Sequence, residues 1–292
     1  MPRDDSWNLH EGDTLTDELT AMRLLGGGSA YEAYLAFDEI TYAPVVVKVL
    51  RPSQVSDESS LRGLRREVAT LAEVNHPVVV RGLRHDLEGD PPHVVLEHIE
   101  GPRLSTLIRR YGPLQEQQYL PLAIDICSAL HYLRHIDVVH LDIKPSNIIM
   151  GAPARLIDLS VARSRRRAAD LTYVVGTDAY LAPEQAEPGA TAVPGPASDV
   201  WGLGATLFEA VAGYRAFDGG DRDAHRPEDQ YPQLVEDPYE LPGTVPAEVA
   251  KVVYAALERS PVDRPLPHEI AAALEPVLAR QPKARLTFKV KG

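Results

Sequence analysis

The apolar positions change period along the chain, and the change predicts two parts. From Leu24 to Leu50 the pattern is that of strands, ending in the β-branched run Val45-Val46-Val47-Lys48-Val49-Leu50 with Pro44 at its start. Leu64, Val68, Leu71 and Ala72 recur at helical spacing and predict a helix over Leu61–Val74, bounded by Pro77. His93 to Ile99 reads as a further strand, and Gly101-Pro102 interrupts it at an expected hinge. Beyond the hinge the pattern turns helical over Leu120–His135, with strand-like pieces at Ile148-Ile149-Met150 and Arg155-Leu156-Ile157. Residues 160–198 carry few apolar runs, and a long irregular segment in a compact domain is usually functional. Val200 to Ala212 is apolar almost all round, which predicts a buried helix. A polar, Pro-rich stretch covers 213–246, and helices are predicted again at Ala247–Glu258 and His268–Ala279. Residues 1–18 are polar and acidic, with 1–14 read as a lead-in, and the basic tail at 281–292 is expected to be mobile. There is no internal repeat.

Composition narrows the classes. A chain of 292 residues with 44% hydrophobic content can bury a sizeable core in one or two units. A formal charge of -12 disfavours a nucleic-acid binder, which needs a basic field. Cys127 is the sole cysteine, so no intrachain disulfide can form, and its apolar helical neighbours predict a small core residue. The most apolar stretch, Val200 to Gly213, is interrupted by Glu209 and is shorter than the roughly 20 residues of a spanning helix. Met1-Pro2-Arg3-Asp4-Asp5 lacks the basic-then-apolar order of a secretory signal. A cytoplasmic location is expected, alone or as the cytosolic part of a longer protein.

Chemistry-bearing residues fall at informative spacings. Leu25-Gly26-Gly27-Gly28 lies between strand-like runs, where bare backbone N–H groups can approach phosphate oxygens; taken alone it reads equally well as a hairpin turn. Lys48, inside an apolar strand, is either a solvated edge residue or a cation for nucleotide phosphates. Glu67 falls beside the apolar stripe of the first helix, where an unpaired carboxylate is costly, so a partner such as Lys48 is expected. In His140-Leu141-Asp142-Ile143-Lys144-Pro145-Ser146-Asn147, Asp142 can accept a hydroxyl proton and Asn147 can offer a neutral oxygen to a divalent cation. Asp158 follows the short apolar run Leu156-Ile157 and supplies an anionic ligand.

With these residues the sequence resembles the eukaryotic-type protein kinase family, in its bacterial Ser/Thr branch, from about Leu15 to Leu278. Gly176-Thr177, Ala182-Pro183-Glu184, Asp199-Val200-Trp201-Gly202 and Asp263-Arg264-Pro265 match further motifs in order. The resemblance implies an α+β, bilobal fold. A β-rich N-lobe with one major helix would span 15–99, a hinge about 97–101, and a mostly helical C-lobe 102–280. It implies transfer of the γ-phosphate of ATP to protein Ser/Thr hydroxyls in signalling, with Mg2+ as the metal or Mn2+ in its place. Protein substrates are the implied partners, with neither nucleic acid nor membrane, and no oligomeric state is implied. Asp142 would be the base, Lys144 would steady the γ-phosphate, and Lys48, paired with Glu67, would contact ATP. Asn147 and Asp158 would hold the metal. Leu25, Gly26, Gly27, Gly28 and Ala33 would line the nucleotide, and Val46 and Ile149 would sandwich the adenine. Leu96 would be the gatekeeper, with Glu97 and Ile99 giving backbone hydrogen bonds. Thr177 would bond near Asp142, Asp199 would anchor the His140 loop, and Glu184 would pair with Arg264. Lys144 two residues after Asp142 resembles Ser/Thr rather than tyrosine kinases, and the Ala-Pro-Glu and Asp-x-Trp motifs disfavour small-molecule kinases.

Four positions depart from the pattern: Tyr31 for the third loop glycine, Val46 for alanine, Leu141 for arginine, and Asp158-Leu159-Ser160 for Asp-Phe-Gly. Tyr31 and Ser160 support the alternative of an ATP-binding pseudokinase scaffold. Leu141 cannot bind a phosphate, so activity is expected not to require phosphorylation of the activation segment, Asp158 to Glu184. Thr172 is the expected phosphosite there, and Arg163 with Arg165 to Arg167 reads as a solvated basic run that could hold its phosphate.

Overall fold

A computed structural model describes residues 5–190 and 192–282. The tail expected at 281–292 lies, from 283 onward, outside the described residues. The first part is a six-stranded antiparallel sheet of β1 (Thr14–Thr16), β2 (Leu19–Gly27), β3 (Tyr31–Asp38), β4 (Ala43–Leu50), β5 (Gly82–Asp86) and β6 (His93–Glu97). Its order is β1-β2-β3-β4-β6-β5. Helix α1 (Glu58–Glu73) joins β4 to β5.

Register decides what this sheet presents. Lys48 pairs with Ala33 on one side and Val94 on the other, and Val46 pairs with Leu96. Residues two apart on a strand share a face, so Ala33, Val46, Lys48 and Leu96 look the same way. On the other face Tyr34, Ala36, Val45, Val47 and Val95 form a core of their own, against which Trp7 and Leu9 pack. Helix α1 starts earlier than its apolar period suggests, because Asp57 caps it by accepting the Ser60 backbone N–H at 2.7 Å. Its inward face carries Leu64, Glu67 and Leu71.

The second part is mostly helical: α2 (Leu104–Tyr111), α3 (Glu116–His135), α4 (Arg165–Ala169), α5 (Pro183–Ala186), α6 (Pro196–Ala212), α7 (Pro227–Gln230), α8 (Ala247–Ala256) and α9 (Pro267–Ala279). Between α3 and α4 lie two small hairpin pairings, β7 (Val138–Val139) with β10 (Arg163–Ser164) and β8 (Ile148–Ile149) with β9 (Arg155–Leu156). Helix α6 is buried almost throughout, starts at a proline and stops at Gly213, whose φ of 81° is left-handed. At Gly202 a Cβ would meet Ile143 at 3.0 Å, so a bare backbone there lets the 140–147 loop lie on this helix. The result is a two-lobed α+β architecture with one cleft between sheet and helices. Among the described residues no helix is long and apolar enough to cross a membrane.

The basic run does not behave as one solvated face. Arg163 is buried, because its backbone pairs with Val139 in the small β7–β10 ladder, while Arg165 to Arg167 are exposed on α4.

Candidate active site

The cleft has a volume of about 680 Å3. Its roof is Leu25, Gly26, Gly27, Gly28, Ala33 and Val46; its back is Leu96, Glu97 and Ile99; its floor is Ile149. Lys48, Asp142, Lys144, Asn147, Asp158 and Thr177 line the same space.

Lys48 Nζ donates to both Glu67 carboxylate oxygens, at 2.8 and 3.0 Å, and to Asp158 Oδ1 at 2.8 Å. Burial alone would push the ammonium down, but the Glu67 and Asp158 carboxylates hold it above its ordinary value. Burial likewise pushes the Glu67 carboxyl up, against Lys48. With an ammonium in two-point contact, the ionised carboxylate is the form the pair holds. Burial opposes ionisation of Asp158 too, yet Lys48 keeps its carboxyl well below the usual range. Tyr31 lays its ring over this cluster, with Lys48 Nζ at 4.1 Å from the centroid.

Asp142 is held from three directions. Thr177 Oγ1 donates to its Oδ1 at 2.7 Å, and Lys144 Nζ and Asn147 Nδ2 donate to its Oδ2 at 2.7 and 3.0 Å. Asn147 also gives its amide N–H to the Asp142 carbonyl at 2.9 Å, so its neutral Oδ1 is the atom left for a cation. Below the loop, buried Asp199 accepts the backbone N–H groups of His140 and Leu141 at 2.8 and 2.7 Å. Without a cation beside it, burial lifts the Asp199 carboxyl to about 7. His140 is fully buried, and burial holds its imidazole below the ordinary value, hence neutral; the Asp142 N–H donates to its Nδ1 at 3.2 Å.

Other expected residues lie away from the cleft. Glu184 and Arg264 form a buried two-point pair, at 2.7 and 2.8 Å, beneath the activation segment. Thr172 is exposed and lines no part of the cleft. Sequence reasoning missed Val80, which lines the cleft from an irregular segment with no pattern to mark it. It also missed Gln185, whose Nε2 ties the Leu141 and Val175 carbonyls together at 2.9 and 3.0 Å. Its only signal was adjacency to Glu184. Gly176, at φ 123°, lies where a Cβ would meet the Leu141 carbonyl at 2.7 Å, so a glycine is needed for that approach.

Among the described residues no group of three or more His, Cys, Asp or Glu could hold a metal unaided. The donors do fit a cation shared with a nucleotide, since Mg2+ commonly takes one or two protein oxygens plus phosphates.

Comparison with known proteins agrees with this geometry. The family model described as protein kinase domain matches residues 19–290. Serine/threonine-protein kinase PknB of Mycobacterium leprae is 30% identical over 279 residues, covering 91% of this chain and 43% of that protein. Serine/threonine-protein kinase PrkC of Bacillus subtilis is 32% identical over 212 residues, covering 71% of this chain and 32% of that protein. Serine/threonine-protein kinase PknK of Mycobacterium tuberculosis is 36% identical over 231 residues, or 76% of this chain and 20% of that protein. The chain thus spans less than half the length of these curated relatives. A cleft built on a lysine–glutamate pair, the ordered motifs around it and these matches together place the chain in the protein kinase family, in its bacterial serine/threonine branch.

Proposed function

We propose that this chain transfers the γ-phosphoryl group of Mg-ATP to serine or threonine hydroxyls of proteins. The observation that carries the reading is the Asp142 carboxylate, fixed by Thr177, Lys144 and Asn147 and facing the same cleft as Lys48 and Asp158. Phosphoryl transfer asks a protein chiefly to align reactants and offset charge, and such pre-alignment supports that task. Adenine fits between Val46 and Ile149, against Glu97 and Ile99 at the back. Lys48, steadied by Glu67, orients the α- and β-phosphates. Asn147 and Asp158 would hold Mg2+, or Mn2+ in its place, which when bound offsets charge on the phosphoryl oxygens. The substrate hydroxyl gives its proton to Asp142 as its oxygen bonds to the γ-phosphorus and the bond to ADP breaks. Lys144, shared between Asp142 and Thr177, steadies the γ-phosphate. Protein substrates are favoured over nucleic acids by the formal charge of -12.

The test is labelled ATP with Mg2+ and a generic protein substrate, comparing wild type with Asp142→Asn. Wild type should phosphorylate serine and threonine, and the variant should lose about 10²–10⁴-fold of the rate, the usual range for a general base. ATP binding should change less than about twofold, because the substituted group faces the hydroxyl. Nucleotide binding without transfer by wild type would favour a scaffold instead, and near-normal turnover in the variant removes the assignment of Asp142.

A further inference from the structure

The segment ahead of the first strand reaches the glycine loop through hydrogen bonds that none of the roles above uses. Trp7 donates its indole N–H to the Leu50 carbonyl at 2.7 Å and its backbone N–H to Glu32 Oε2 at 3.2 Å. Asp5 accepts the Ser53 backbone N–H and hydroxyl at 2.9 and 2.8 Å. Arg51 connects both residues to the cleft. Its NH1 donates to the Asp5 carbonyl at 2.5 Å and to Glu32 Oε1 at 3.0 Å, and its Nε donates to the Gly28 carbonyl at 2.8 Å. The Arg51 backbone N–H adds a bond to the Ala30 carbonyl at 3.0 Å, so both sides of the loop tip are tied to one residue.

Glu32 makes this connection stiff. It is only 2% exposed, and its second oxygen also accepts the Tyr34 hydroxyl at 2.9 Å. Among the described residues Arg51 is its only cationic partner. A buried carboxylate strongly holds its one cation, and a planar guanidinium fixed at one edge has its remaining N–H directions fixed as well. Gly28 therefore meets a donor whose position is set from the far side of the sheet. Asp5 and Trp7 lie ahead of residues 19–290, the stretch that the family model matches.

We propose that Arg51, anchored by Glu32 and by the Asp5–Trp7 strap, is a positioning residue that holds the Gly26–Gly28 backbone in place for nucleotide phosphates. The effect on ATP rests on the reading of the cleft as a nucleotide site; the effect on the loop does not. The Arg51 side chain touches no reacting atom and reaches the loop through the Gly28 carbonyl, while its backbone N–H holds Ala30.

The experiment uses the full chain and the variants Arg51→Met, Arg51→Lys, Asp5→Ala and Trp7→Phe. Amide hydrogen exchange without nucleotide reads the loop, and KM for ATP against kcat reads its consequence. In Arg51→Met, amides 26–31 should exchange about tenfold faster and KM for ATP should rise about tenfold, equivalent to about 1.4 kcal/mol, with kcat changed less than about twofold. Arg51→Lys cannot reproduce the fork and should recover only part of the loss. Asp5→Ala and Trp7→Phe keep the Arg51–Glu32 pair and should show a few-fold change confined to the loop. If Arg51→Met loosens the whole lobe, those two variants decide: faster exchange restricted to the loop supports the strap, and unchanged loop exchange overturns it. A folded Arg51→Met with unchanged loop exchange also overturns it. Wild type without ATP turnover would instead defeat the functional reading, while loop exchange would still decide the strap.

Discussion

Replacing Arg264 by alanine strands the Glu184 carboxylate in the helical lobe. Both side chains are essentially inaccessible, at 0% and 1% exposure. The guanidinium meets Glu184 Oε1 and Oε2 at 2.7 and 2.8 Å and also donates to the carbonyls of Ala197, Glu258 and Arg259, at 2.7–3.0 Å. It stacks on Trp201 with its carbon 5.0 Å from the ring centroid. Glu184 keeps one other donor, the Ser198 hydroxyl at 2.7 Å, which cannot balance a charge. Breaking such a pair costs about 3–5 kcal/mol. At about 2–4 °C per kcal/mol for a domain of this size, the melting temperature should fall by about 6–20 °C. The control is Arg280→Ala, whose partner Glu248 is 52% exposed; an exposed pair is worth about 0–1 kcal/mol and should shift the midpoint by at most a few degrees. Arg264→Lys should resemble the alanine variant more than wild type, because a point charge cannot span both oxygens and three carbonyls. Calorimetry of the four proteins checks this, and an Arg264→Ala midpoint no lower than that of Arg280→Ala refutes the reasoning.

Lys48→Met should lower phosphoryl transfer by about 10²-fold or more by misplacing the phosphates, and should destabilise the fold by leaving Glu67 buried without its cation. Adding Glu67→Gln should restore much of the melting temperature and none of the activity; recovery of neither would count against the charge argument. Asp38, fully buried, takes Arg84 at 2.6 and 2.7 Å, and these bonds hold its carboxyl well below the usual range. A depressed native carboxyl adds stability above its unfolded pKa of about 3.9 that is lost as pH falls. The urea-melt gap between wild type and Arg84→Met should therefore be largest near neutral pH and narrow below about pH 4; a constant gap contradicts the pairing. Thr172→Ala and phosphatase-treated wild type should each keep activity within about tenfold, or about 1.4 kcal/mol of barrier, on an external substrate. The reason is that Leu141 packs with Ala168, Leu171 and Val175 of the activation segment, an apolar contact that a phosphate does not strengthen.

Much of this was legible because its chemistry is local. Asp142, Lys144 and Asn147 are spaced within one loop, and the alternation around Lys48 follows from a single strand. Element starts were less legible where a polar cap begins a helix before its apolar period does. Asp57 and Glu58 begin α1 ahead of Leu61, and Gln115, whose backbone N–H donates to the Gln118 side-chain oxygen at 2.9 Å, precedes the start of α3 ahead of Leu120. Least legible were contacts made by distant segments. Arg163 reads as part of a basic run, yet its pairing with Val139 turns it inward. No motif or spacing marks Arg51, and only the packed lead-in shows what its guanidinium holds.

The departures from the family pattern are absorbed by their surroundings. Tyr31 places an aromatic face, which attracts cations, against the Lys48 ammonium instead of leaving a gap. Leu141 adopts φ 66° and is buried in an apolar cluster with Val139, Leu171 and Val175, so no charge is missing there. Ser160 lacks glycine's backbone freedom. The left-handed residue in this segment is instead Asp158, at φ 70°, a residue type that tolerates that region better than most. Ser160 donates its N–H to Asp158 Oδ1 at 3.3 Å and accepts Arg66 on its carbonyl at 3.2 Å, so it helps seat the aspartate. A scaffold that had abandoned catalysis would be free to lose the costly parts first, the buried Lys48–Glu67 pair and the strained aspartate. Both persist, each with its partners within hydrogen-bond distance, while the changes fall where packing can compensate. That distribution of change supports the enzyme over the scaffold.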